Sequence, residues 1–210
     1  MRSLLEWLNK FLLRDRSANR ETAASLTANG VPGYPWYGLA EGDEIEQGDI
    51  LERCPVFVPP KDLTLNAVTK ESKAIFEWQE PDLIVISQSC DLAKGRENIQ
   101  EILLCAVWER SELTGNLAKD EMMESARKGR LPTFHVLAAS SLDGFEREVR
   151  VVDFGRVFSL PVPFVRARAM IGKRLRLLPP YREHLSQSFA RFFMRVGLPI
   201  DIPPFEKKKK

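Results

Sequence analysis

The 210-residue chain is 44% hydrophobic and 29% charged, with twelve phenylalanines and four tryptophans, enough apolar material for one core, so disorder throughout is excluded. Fourteen prolines and twelve glycines exclude a long helical bundle. The longest uncharged apolar runs, such as Leu83–Ile86 and Ile102–Trp108, fall far short of the ~20 residues of a membrane span, so none is expected. The net charge of +2 hides an asymmetry: residues 164–210 carry twelve basic and three acidic side chains, a net of +9, which leaves −7 on the rest.

Leu4, Leu5, Trp7, Leu8, Phe11 and Leu12 recur at helical spacing and predict an amphipathic helix over 1–13. Glu6 and Lys10 interrupt its apolar run, so it does not read as a secretory signal. Residues 14–47 are polar or acidic and read as a linker that includes the aromatic stretch Gly33-Tyr-Pro-Trp-Tyr-Gly38. From Gly48 the texture changes to short β-branched and aromatic runs bounded by turn residues. Strands are expected at Asp49–Cys54, Lys73–Trp78, Pro81–Ser87 and Glu101–Trp108, then at Phe134–Ala139, Val149–Phe154 and Arg156–Leu160. Ser111–Arg130 reads as a helical insertion. A last helix starts near Tyr181, with Leu185, Phe189, Phe192, Phe193 and Val196 on one face, and Gly197-Leu-Pro199 ends it. The tail at 207–210 is expected to be disordered. The resulting fold class is mainly β with flanking helices: a small β-barrel over 48–165, then a basic segment and helix over 166–206.

Cys54, Cys90 and Cys105 are three and widely spaced, so they predict neither a disulfide framework nor a CxxC zinc site, and they suit a reducing cytoplasm. Together with His135 and His184 they can be counted as metal ligands, but no pair has the short spacing of zinc sites. No metal and no cofactor are therefore expected, and Asp49 and Asp153 read as ordinary strand-end carboxylates. Ser87-Gln-Ser-Cys-Asp-Leu92 leaves the clearest strand and is the most unusual local sequence. There Cys90 with Asp91 would be a nucleophile if His135 came within hydrogen-bond reach as its base. The basic residues Arg166, Arg168, Lys173, Arg174, Arg176, Arg191 and Arg195 are the candidates for nucleic acid or an acidic partner. Leu4, Trp7 and Phe11 form a candidate partner-binding stripe.

The segments Gly48-Asp-Ile50, Asp82-Leu-Ile-Val-Ile-Ser87, Ile102-Leu-Leu-Cys-Ala-Val107 and Val149–Leu160, taken in that order, resemble the MazF/PemK type of toxin barrel over residues 46–165. The resemblance implies an SH3-like barrel and, in active members, an endoribonuclease. The family's catalytic Arg position falls on Glu77-Trp-Gln-Glu-Pro81, and its catalytic Thr or Ser position on Trp108-Glu-Arg-Ser111. Acidic side chains at such places repel a phosphate backbone. The expectation is therefore a non-catalytic or degenerate interaction subunit of a bacterial stress or phage-defence system. It would work with a protein partner or as a homo-oligomer. The alternatives are a nucleic-acid-binding module, or a ribonuclease or other hydrolase using the Ser87–Asp91 loop.

Overall fold

The computed structural model describes residues 34–65, 76–95 and 98–194. The helix expected over 1–13 with Leu4, Trp7 and Phe11, the polar stretch 14–33, Arg195, Val196 and the tail 207–210 lie outside the described residues. The chain divides between Trp36 and Tyr37, and the unit that begins at Tyr37 is the body of the protein.

Strands dominate the body. The strands are β1 (Tyr37–Ala40), β2 (Ile50–Leu51), β3 (Val56–Val58), β4 (Glu77–Gln79), β5 (Asp82–Val85), β6 (Glu101–Glu109), β7 (Phe134–Leu137), β8 (Ser140–Leu142), β9 (Phe145–Arg147), β10 (Arg150–Pro161) and β11 (Arg174–Leu177). The helices are α1 (Ser89–Leu92), α2 (Asp120–Arg127), α3 (Val162–Ala169) and α4 (Tyr181–Phe193). The central sheet is antiparallel with order β2-β5-β6-β10-β7, while β1-β11, β3-β4 and β8-β9 form two-stranded sheets. The class is mainly β with a few helices. Among the described residues no ladder closes the sheet on itself.

The continuous aliphatic runs of β5 and β6 are explained by cover on both faces. Leu83, Val85, Ile102 and Leu104 pack with Val162, Val165 and Ala169 of α3, while Ile84, Cys105 and Val107, of opposite parity, are buried as well. Val151 is fully buried and Leu103 half-buried. β10 serves two partners along its twelve residues: Arg150–Asp153 pair with both β7 and β6, and Val157–Pro161 with β6 alone. The change falls at a bulge between Asp153 and Val157, where the Gly155 amide donates to Asp153 Oδ1 at 2.8 Å. Such a bulge bends the strand and frees its second half from the β7 edge.

Several elements differ from the sequence expectation. The linker expected over 14–47 contains β1, because Tyr37–Ala40 pairs with Arg174–Leu177, a partner too remote for local pattern to reveal. The helical insertion expected over 111–130 is two short 3₁₀ turns followed by α2, and Gly115, at φ 65°, interrupts it. The strand expected at Lys73–Trp78 is observed as Glu77–Gln79, and Lys73–Ile75 lie outside the described residues. The segment read as basic after residue 166 also contains a strand, β11.

On the β7–β10 part of the sheet, α4 is held by an aromatic cluster. Leu185 is fully buried, Phe154 lies 5.3 Å from Phe189 and 6.1 Å from Phe192, and His135 stacks on Phe154 at 6.2 Å. Phe154 itself is 1% exposed. Phe154→Ala should therefore lower unfolding free energy by about 3–5 kcal/mol in urea denaturation. A loss below about 1 kcal/mol would show that α4 does not depend on this ring.

Candidate functional site

The loop after β5 is built as a staple. Ser87 Oγ accepts from the Leu103 amide at 2.9 Å, and Ser89 Oγ accepts from the Gln47 amide at 3.1 Å. Buried Gln47 donates through Nε2 to the Ile86 carbonyl at 2.7 Å, and Gln88 Nε2 donates to Ser186 Oγ on α4 at 2.9 Å. The polar side chains of Ser87–Ser89 thus fasten the loop to its neighbours. Cys90 is exposed and donates to its neighbour Asp91, with Sγ 3.9 Å from Oδ1. His135 lies in β7 with its ring packed against Phe154 and His184 rather than against Cys90. Burial pushes the His135 imidazole down to about 4, with the His184 charge adding to the effect. Burial likewise pushes the Cys54 thiol up to about 11 and the Cys105 thiol to about 12, so both remain protonated and apolar in character near neutrality.

Much of the basic C-terminal third is turned inward. Asp49 is 0% exposed and Arg174 4% exposed. Arg174 Nε donates to Asp49 Oδ2 at 2.8 Å, and its other donors reach the carbonyls of Gly42, Glu44 and Ala169. Arg176 grips both oxygens of Asp49 and donates to Glu46 Oε1, which Arg182 joins by donating to Oε2 at 3.0 Å. Burial works to lower the Arg176 guanidinium, but Asp49 and Glu46 outweigh it and hold it above its usual value. Arg166 donates to the Leu92 carbonyl at 3.1 Å and Arg168 to that of Glu52. Lys173 and Arg191 are exposed. The acidic stretch before β2 is therefore the counter-surface of Arg174, Arg176 and Arg182.

A second polar cluster sits beside the start of β10. Glu52 accepts from Arg147 Nε and Nη2 at 2.7 and 2.6 Å, and fully buried Arg150 lies 3.4 Å from it and 3.9 Å from Asp82. Burial works to raise the Glu52 carboxyl, but Arg147 and Arg150 leave it below its usual value, whereas burial keeps Asp82 above its own. Tyr37, pushed up to about 12 by burial against the opposing Arg150 charge, donates to the Ala138 carbonyl at 2.7 Å.

Among the described residues, the ribbon of β3 and β4 carries two of the exposed large aromatics. Val56 points into the core, so Phe57 points the other way, 68% exposed, directly opposite Trp78, 61% exposed. Their rings meet edge to face with centroids 5.6 Å apart, and Phe76 beside them is half-exposed. Among the described residues beside the ribbon, charges of both signs occur: Lys61, Asp62, Glu77 and Arg156 line one cavity with Val58, and Arg53 lies 3.5 Å from Glu80. Arg156 ties the ribbon to the sheet, donating to Gln79 Oε1 at 3.0 Å while its guanidinium lies 5.1 Å from the Trp108 ring centroid. Sequence pattern does not mark the ribbon as a surface, because Phe57 and Trp78 look like core residues. Only the inward side of Val56 shows that alternation sends them out.

No protein-family model and no curated protein sequence matches the chain. Among the described residues no helix is long and apolar enough to cross a membrane.

Removing the buried carboxylate should be costly because it strands the Arg174 guanidinium away from water. Asp49→Ala is expected to lose about 3–5 kcal/mol. Glu46→Gln, at the partly exposed rim of the same network, should lose less than about 1 kcal/mol. Parallel thermal or urea denaturation of the two variants checks the contrast.

Proposed function

We propose that the protein is a non-catalytic interaction subunit that docks a protein partner through the Phe57–Trp78 ribbon. The observation that carries this reading is the outward aromatic pair. Exposing two large rings costs solvation free energy, and paired aromatics of this kind supply the energetic centre of protein interfaces. The mixed signs of the described charges beside the ribbon favour a protein over a polyanion, which would call for a basic stripe. The inward commitment of Arg174 and Arg176 to Asp49 favours the same choice. A catalytic role for the Ser87–Asp91 loop draws no support from its serines, which accept backbone amides, or from Cys90, whose hydrogen bond goes to Asp91.

The resemblance to MazF/PemK barrels belongs to the same proposal. Its four segments include β2, β5, β6 and β10, which neighbour one another in that order in the sheet, in keeping with a curled, barrel-like scaffold. On this reading the scaffold keeps the strand order, lacks the family's catalytic groups and serves a stress or phage-defence assembly in a bacterial cytoplasm.

The experiment is site-specific photocrosslinking, with a photoreactive amino acid placed at Phe57 of the full chain expressed in its native cells. A protein adduct of defined mass is expected. Trp78→Ala should abolish it while costing the folded chain no more than about 1 kcal/mol, the worth of the edge-to-face pair itself. A nucleic-acid adduct, or a protein adduct indifferent to Trp78→Ala, overturns the proposal.

A further inference from the structure

The chain has only two histidines, and the fold brings them together. His135 lies on β7 and His184 in the first turns of α4, yet their ring centroids are 5.2 Å apart with the planes at 72°. His135 is 6% exposed, and its Nε2 atom is buried without a hydrogen-bond partner among the described residues. A buried imidazole nitrogen left unpaired carries a desolvation cost that native structures generally offset with a partner. On its other side His135 meets the Phe154 ring, stacked at 6.2 Å, which offers no polar atom. His184 is exposed, so an ion arriving from solvent meets it first.

We infer that His135 and His184 form a two-imidazole clasp for a divalent transition metal of the zinc, copper or nickel type, binding it between β7 and α4. Imidazole nitrogen suits these ions, and neutral rings supply the lone pairs without any change of oxidation state. Among the described residues no group of three His, Cys, Asp or Glu side chains is placed to hold a metal, so water completes the shell. The site thus differs from closed structural zinc centres, which take four protein ligands. Its structural effect follows from its two anchors: metal occupancy pins α4 to the edge strand of the sheet, beside the Phe154 cluster. The inference is independent of the partner-docking reading, because it concerns other elements and needs no partner.

The test uses the full chain purified without a histidine tag, with zinc alone in calorimetry and Cu(II) alone in electron paramagnetic resonance. One saturable zinc site per chain is expected, with a rise in melting temperature, and a copper spectrum split by two imidazole nitrogens. His184→Gln should still unfold cooperatively without metal, because His184 is exposed, and its metal-free melting temperature is the baseline for the zinc-induced rise. The substitution should weaken zinc binding by at least about tenfold, the smallest loss typical even of substitutions behind the ligands themselves. Cys90→Ser should leave the affinity as it was. Unchanged zinc affinity in His184→Gln, loss of binding in Cys90→Ser, a copper spectrum lacking two nitrogens, or no saturable zinc binding overturns the inference.

Discussion

The Asp49 carboxylate is the joint on which the body of the protein depends. Its backbone belongs to the entry into β2: the Val85 amide donates to the Asp49 carbonyl at 2.9 Å, while the Gly48 amide donates to Val85 and the Gly48 carbonyl accepts from Leu177. Its side chain holds Arg174 and Arg176 of β11. Asp49, with the neighbouring Gly48, therefore joins the central sheet to the β1–β11 pair. Two guanidinium groups on one buried carboxylate leave few of its lone pairs unused, which is the condition under which a buried ion pair is tolerated at all. The close approach has a backbone counterpart. Gly48 sits at φ 86°, and a Cβ there would come within 2.9 Å of Leu177 Cβ, so glycine is what lets the two segments touch.

This joint also reshapes the electrostatics. A chain with +9 in its last 47 residues presents itself, as a sequence, as a binder of polyanions. Among the described residues, Arg174, Arg176 and Arg182 pair with Asp49 and Glu46, Arg166 and Arg168 cap the carbonyls of Leu92 and Glu52, and Lys173 and Arg191 are exposed. The surface also carries, among the described residues, an aromatic ribbon whose buried face is the small Val56 and whose exposed face is Phe57 with Trp78. An ordinary amphipathic strand would have these sizes reversed. The proposed docking role of the ribbon rests on this inversion.

The other end of the sheet is organised by aromatic packing. β10 bends at its bulge and presents Phe154 to α4, while β7 presents His135 alongside. The helix consequently meets the sheet through a surface that is apolar at Phe189 and Phe192 and nitrogen-bearing at His184. The docking of α4 and the pairing of the histidines are thus one arrangement, set by where the bulge leaves the strand.

The sequence by itself indicated the strands at Asp82–Val85, Glu101–Glu109, Phe134–Leu137 and Arg150–Pro161 and a helix from Tyr181, because these follow from side-chain periodicity within one segment, whereas the short β3, β8 and β9 were not legible in it. It also showed the charge asymmetry, since charge is a matter of counting. Tertiary structure alone decided what that charge does. Asp49 and Arg174 are separated by most of the body, and no local pattern marks an aspartate as the counter-ion of a distant arginine. The same holds for β1, which has the texture of a linker until its partner β11 is known, and for His135 and His184, whose spacing along the chain resembles no metal motif. Phe57 and Trp78 show the converse. Their type predicts burial, and only the side of the strand taken by Val56 sends them outward. Periodicity is a property of neighbours in sequence, whereas ion pairing, strand partnership and the choice of face depend on neighbours in space.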